Sequence, residues 1–222
     1  MESSSLTSPH PATASRASSK GSGAEWLAPF TGVAFFVVGI AAFVVGGQPK
    51  SADKPAREVV DYYLNHETRV EVSAALGIVA AALLVFFGAY LRKVLREAAG
   101  EGEMLSLVSF IGVGFVAFGF AIDGTIAFAL ADRANDVPPA AVQALQALYD
   151  DDFIPMVLGV ALFLLATGIS ALRSRALPKW LGWIMVVLGV VTFTPVGFVS
   201  ALAAALMVLG LGIVLTMRVR AA

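Results

Sequence analysis

The stretch Phe120-Ala-Ile-Asp-Gly-Thr-Ile-Ala-Phe128 holds one carboxylate, Asp123, between apolar flanks, with the hydroxyl of Thr125 two positions on. A carboxylate in such a run can carry a proton, hold a cation, or bond to nearby hydroxyls as internal glue. An ionisable group at membrane depth is costly and faces the bundle interior or water, so the general expectation is a functional site. When the apolar runs are laid side by side in alternating direction, hydroxyls fall into two bands. The outer band is Ser73, Thr125, Thr192, Thr194 and Ser200, and with Asp123 it forms a candidate polar crevice open to the outside. The inner band is Thr31, Ser106, Ser109, Thr167 and Ser170. Arg69 and Arg133 are alternative partners that would pair with Asp123 as internal glue.

Between the bands, segments 33–41, 74–86, 110–122, 156–166 and 181–191 contain no hydroxyl, amide or charged side chain. A proton wire needs relays, and an ion path needs charges, carbonyls or water. This dry middle argues against a constitutive route across. A path lined by unwound backbone stays open, because the spans are rich in glycine.

The elements that must position these groups are read from hydropathy. Apolar residues make up 58% of the chain and charged residues 14%. A soluble domain is nearer about 45–50% and about 25%. A helix crosses a bilayer core with about 20 apolar residues, and four runs qualify plainly: 26–47, 72–91, 104–131 and 153–172. The last apolar stretch is too long for one crossing and breaks at Thr192-Phe-Thr-Pro-Val-Gly197, where Pro195 and Gly197 stop a helix and turn the chain. Splitting there gives spans 177–193 and 197–217. The expected fold is all-α: a six-helix transmembrane bundle over 26–217. It lies between a disordered Ser-rich tail, 1–25, and a short basic tail, 218–222.

Basic residues orient the bundle. Arg16, Lys20, Arg92, Lys93, Arg96, Arg173, Arg175, Lys179, Arg218 and Arg220 fall on one side, ten of the fifteen Lys and Arg. That side is expected to be cytoplasmic, with both termini on it. The outer connections hold two amphipathic segments. One carries Val59, Tyr63 and Val70, the other Val142, Leu145, Leu148 and Tyr149, and both are expected to lie at the membrane interface. Asp150, Asp151 and Asp152 are expected to cap the fourth span.

Several chemistries are excluded. Zero cysteines remove disulfides and thiolate chemistry, and His10 and His66 lie outside the spans, so no bis-histidine haem is held in the membrane. A single carboxylate at depth cannot make an aspartyl protease pair. No nucleic-acid footprint, cofactor motif or metal-ligand spacing is present, and the expectation is that the chain takes none of the three. The expected partners are membrane lipids, with a second copy or another membrane protein as further candidates. Gly77-x-x-x-Ala81, Ala117-x-x-x-Ala121 and Ala201-x-x-x-Ala205 are candidate close helix contacts.

Leu177-Pro-Lys-Trp-Leu-Gly-Trp183, Leu188-Gly-Val190, Thr194-Pro-Val-Gly-Phe198 and Val60-Asp-Tyr-Tyr-Leu-Asn-His-Glu-Thr-Arg69 carry a resemblance. Over roughly residues 26 to 217 the chain resembles a group of small multi-pass bacterial membrane proteins labelled a domain of unknown function. The resemblance implies a helical bundle in a bacterial inner membrane and carries over no catalytic or binding residues. Two functions follow as expectations. One is a structural or partner-binding membrane bundle, and the other is small-solute binding or transport through a crevice ending at Asp123.

Overall fold

A backbone surrounded by hydrocarbon can bond only to itself, so long apolar runs become helices. The computed structural model describes residues 27–99, 103–174, 177–194 and 197–221. Among these, seven helices follow in order: α1 (Phe30–Gly46), α2 (Ala56–Ala99), α3 (Glu103–Arg133), α4 (Pro139–Asp151), α5 (Ile154–Arg173), α6 (Lys179–Val191) and α7 (Gly197–Ala221). The described residues form no strand. The tail 1–25 and the turn at Pro195 lie outside them, and α7 continues through Ala221, so residues 218–221 extend the last helix.

Among the described residues, four stretches are long and apolar enough to cross a membrane: Ala56–Ala98, Met104–Arg133, Pro139–Arg173 and Val199–Met217. Helices α1 and α6 are equally apolar but shorter, at 17 and 13 residues. At helical rise they reach about 25 and about 20 Å.

The helices pack as a ring in the order α1, α2, α3, α5, α6, α7, with α7 closing on α1. Neighbours run antiparallel. Gly32 of α1 faces Phe87 of α2 while Gly46 faces Ser73, and Gly212 of α7 lies against Pro29 and Val33. Helix α5 lies close to both α3 and α6 because glycine meets glycine. A Cβ on Gly112 would stand 2.7 Å from the Gly159 carbonyl oxygen, and one on Gly168 would stand 2.8 Å from that of Gly182. The spacing pairs expected from sequence are used less. Gly77 has nothing within 4 Å of an added Cβ, Ala201 is exposed, and only Ala81 and Ala117 are buried.

The main apolar cluster includes Phe35, Leu84, Phe87, Val113, Phe163, Leu164, Met185 and Leu211, and the hydroxyls of Ser109 and Thr167, also buried, lie 2.7 Å apart between α3 and α5. A second, smaller core sits at one end, where α4 and the first turns of α2 cover the end of α3. Val59, Tyr63, Val70 and Val142 are buried there with Ile126, Leu130 and Ala134. The apolar faces expected against lipid are largely turned onto each other instead, because α4 and the start of α2 meet across α3. Leu148 and Leu64 remain outside, at 55% and 43% exposure. Helix α2 is long enough to serve both cores and bends at His66, where φ −131° and ψ 16° leave the helical region.

Candidate functional site

Asp123 sits on α3 just below this cap, half-buried. Its neighbour Gly124 rests on Ala74 and Ile78 of α2, which places the carboxylate where α2, α4 and the α4–α5 connection converge. It is close enough to Asp152, Tyr149 and Tyr63 for charge interaction. Among the described residues no hydrogen bond or ion pair reaches it.

The hydroxyls predicted to surround Asp123 are engaged elsewhere. Ser73 Oγ donates to the Ala42 carbonyl of α1 at 2.8 Å, and Thr125 Oγ1 to Ala121 at 2.7 Å. Thr125 is two positions from Asp123, hence on the opposite side of the helix. It lines a shallow apolar cavity of about 230 Å³ with Phe118 and Ile122. Thr192 and Thr194 donate to Leu188 and Val191 within their own chain turn, at 2.8 and 2.7 Å. Ser200 is fully buried, with no partner for its Oγ among the described residues. Helix α3 packs on α2, α4 and α5, so the hydroxyls of α6 and α7 are not gathered around Asp123.

The two arginines are also committed. Arg133 pairs with Asp132 at 2.8 Å and Asp136 at 3.5 Å. Arg69 caps α1: its Nε donates to the Val45 carbonyl and its Nη2 to that of Val44 at 3.4 Å. Tyr62 Oη donates to Gly46 at 3.2 Å, and the Gly47 amide to Phe43 at 3.2 Å. All four terminal carbonyls of α1 are thus satisfied. The guanidinium also complements the negative end of the helix. Sequence reasoning missed this, although Tyr62, His66, Arg69 and Ser73 recur at the four-three-four spacing of one helical stripe.

What the fold does bring together is a polar chain through the cap, buried at Tyr63 and Gln146 and exposed at Asp150 and Ser51. Tyr63 Oη donates to Gln146 Oε1 at 2.6 Å, and Gln146 Nε2 donates to Asp150 Oδ1 at 2.7 Å. Asp150 Oδ2 accepts the Ala52 amide at 2.9 Å and Ser51 Oγ at 3.3 Å. Gln143 Nε2 donates to the carbonyls of Ala52 at 2.8 Å and Lys54 at 2.9 Å. This overturns the capping role expected of the aspartates. Helix α5 begins after Phe153 with no side-chain cap, while Asp150 belongs to the last turn of α4 and holds the α1–α2 loop.

Asp152, in the α4–α5 connection, is the remaining misfit. Its Oδ2 is buried with no partner among the described residues, and burial pushes its carboxyl above the ordinary carboxylate range. A raised folded-state pKa favours the protonated form, so Asp152 withdraws stability as pH rises through that pKa. Asp152→Asn is therefore expected to raise the melting temperature at neutral pH and to flatten its fall between mildly acidic and neutral buffer. An unchanged melting profile would count against an unpaired buried carboxylate.

The sequence profile described as Domain of unknown function (DUF4386) matches residues 30–219. The chain belongs to this family. The DUF4386 match runs from the start of α1 to the last turns of α7, so the ring and its cap are both parts of the family's domain. No curated protein and no solved structure matches the chain.

Proposed function

We propose that this DUF4386 chain is a six-span bundle of a bacterial inner membrane, with both termini cytoplasmic, that binds membrane components and carries no solute across. The observation behind this reading is the dry middle layer: segments 33–41, 74–86, 110–122, 156–166 and 181–191 carry no hydroxyl, amide or charge, and the helix break in α2 at His66 lies in the cap, outside them. A backbone-lined path would need a break within the apolar layer. The alternating helix directions support six crossings. With them, Arg92 and Arg96 of α2, Arg173 of α5 and Lys179 of α6 fall at the end of the bundle away from the cap. The shorter α1 and α6 match the bilayer by local thinning.

A second reading rests on Asp123 itself. A carboxylate without a partner among the described residues, near Asp152 and two tyrosines, has the chemistry of a binding site for an amine or other small cation.

Thiol labelling separates the two, because the chain has no cysteine. A membrane-impermeant maleimide added outside whole cells is expected to label Ser51→Cys and to spare Asp123→Cys. Proteoliposomes of the parent chain should show no proton or cation flux above protein-free vesicles. Rapid labelling at 123 together with flux would replace the first reading by the second, and an unlabelled Ser51→Cys would refute the topology.

A further inference from the structure

Near the cap the end of α3 and the apolar face of α4 do not close on each other. They leave an open groove of about 540 Å³, lined by Leu130, Ala134, Val137, Ala144 and Leu148, with Arg133 among the lining residues. Leu130 is buried at its floor, while Leu148 and the nearby Phe128 are exposed on the outside of the bundle. In the six-span reading, on which this inference rests, that exterior meets the outer leaflet. The α3 helix ends at Arg133, so the guanidinium lies at headgroup level above an apolar trough.

Size and charge select the occupant. The volume falls in the range of small-molecule sites, about 300–1,000 Å³. The lining covers residues 129–133 of α3, Ala134 just after it and residues 141–148 of α4, a trough about 10 Å long at helical rise. An alkyl chain is thin enough to enter. At the rim the charges alternate: Arg133 Nε pairs with Asp132 at 2.8 Å and Nη1 with Asp136 at 3.5 Å, all three exposed. A guanidinium has five N–H donors, so donors remain for phosphate oxygens. The flanking carboxylates suit an ammonium and repel a headgroup that carries only negative charge.

We infer that the α3–α4 groove is a site for one phospholipid with a zwitterionic phosphate-and-amine headgroup. Its acyl chain lies along Leu130, Ala134 and Leu148, and its phosphate rests on Arg133.

The full chain, reconstituted in vesicles of equal phosphatidylethanolamine and phosphatidylglycerol and released into mild detergent, is weighed by native mass spectrometry. The expected result is one retained lipid of phosphatidylethanolamine mass, at least fivefold over phosphatidylglycerol. Ala144→Trp, which fills the trough, should lose it, and Arg133→Gln should bring the headgroup preference close to one. Circular dichroism reports whether each variant folds. If Ala144→Trp does not, Ala141→Phe serves at the same trough. No retained lipid, a lipid indifferent to these substitutions, a phosphatidylglycerol preference, or a second copy in its place would each overturn the inference. Loss of the lipid site without flux would remove the groove alone, whereas flux in the proteoliposomes would remove the reading beneath it.

Discussion

Gly112→Ala and Gly159→Ala are each expected to destabilise the bundle by about 1–3 kcal/mol, the usual cost of forcing a methyl into a filled interior. At both positions the new Cβ would meet backbone. From Gly112 it would lie 2.5 Å from the Phe163 nitrogen, and from Gly159 it would lie 2.6 Å from the Gly112 carbonyl oxygen. Backbone cannot step aside as the end of a flexible side chain can, so α3 and α5 must separate. Separation forfeits dispersion contacts along the whole interface, and close packing of this kind is the main source of helix association where lipid is as apolar as leucine. Gly77→Ala is the control. Its Cβ would meet nothing within 4 Å, and alanine is the better helix former by up to about 1 kcal/mol. Unfolding in detergent, followed by circular dichroism, should place Gly112→Ala and Gly159→Ala below the parent and Gly77→Ala level with it or above. Equal shifts at all three positions would remove the close crossing from the account.

Gln146→Leu is expected to cost more than the double change Gln146→Leu with Tyr63→Phe. Both side chains are fully buried, and their hydrogen bond of 2.6 Å is the centre of the cap. Removing the amide leaves the Tyr63 hydroxyl without its acceptor, and a buried polar group left so costs about 1–3 kcal/mol. It also frees Asp150 from one of its donors and loosens the hold on Ser51 and Ala52. Taking the hydroxyl away as well removes the unsatisfied group, so the second mutation should return part of the loss. A double-mutant cycle on thermal stability reads the coupling directly. Strict additivity would mean that the network contributes no more than its separate contacts.

Both expectations rest on contacts between segments far apart in the chain, which the sequence does not disclose. Hydropathy alone determined the helical class and the position of each apolar run, because a span must satisfy its own backbone and must be about 20 residues long. Each of the six expected runs contains one described helix or part of one, with ends shifted by a few residues, except that α2 begins at Ala56, well before residue 72. The dry middle was equally legible, since it is a statement about which side chains are absent. Prolines stand at the starts of two helices: Pro55 immediately precedes α2, and Pro138 precedes α4.

Partnership was not legible. Hydropathy places a residue at a depth but not at an angle around the ring, so the outer hydroxyls shared a level with Asp123 without sharing its neighbours. Ser73 turned to α1, and Thr192 and Thr194 to their own carbonyls. The closeness of Asp123 to Tyr149 and Asp152 comes from the cap folding back over α3. The sequence lays these residues far apart, and nothing in their spacing marks the approach. The same holds for the glycines. Gly77 and Gly112 look alike in a list, and only the crossing of α3 with α5 decides that one faces open space and the other a carbonyl. What the sequence determined by itself was each helix and its depth, which follow from local hydrogen bonding and solvation. The tertiary structure decided which faces meet, because that depends on packing between segments far apart in the chain.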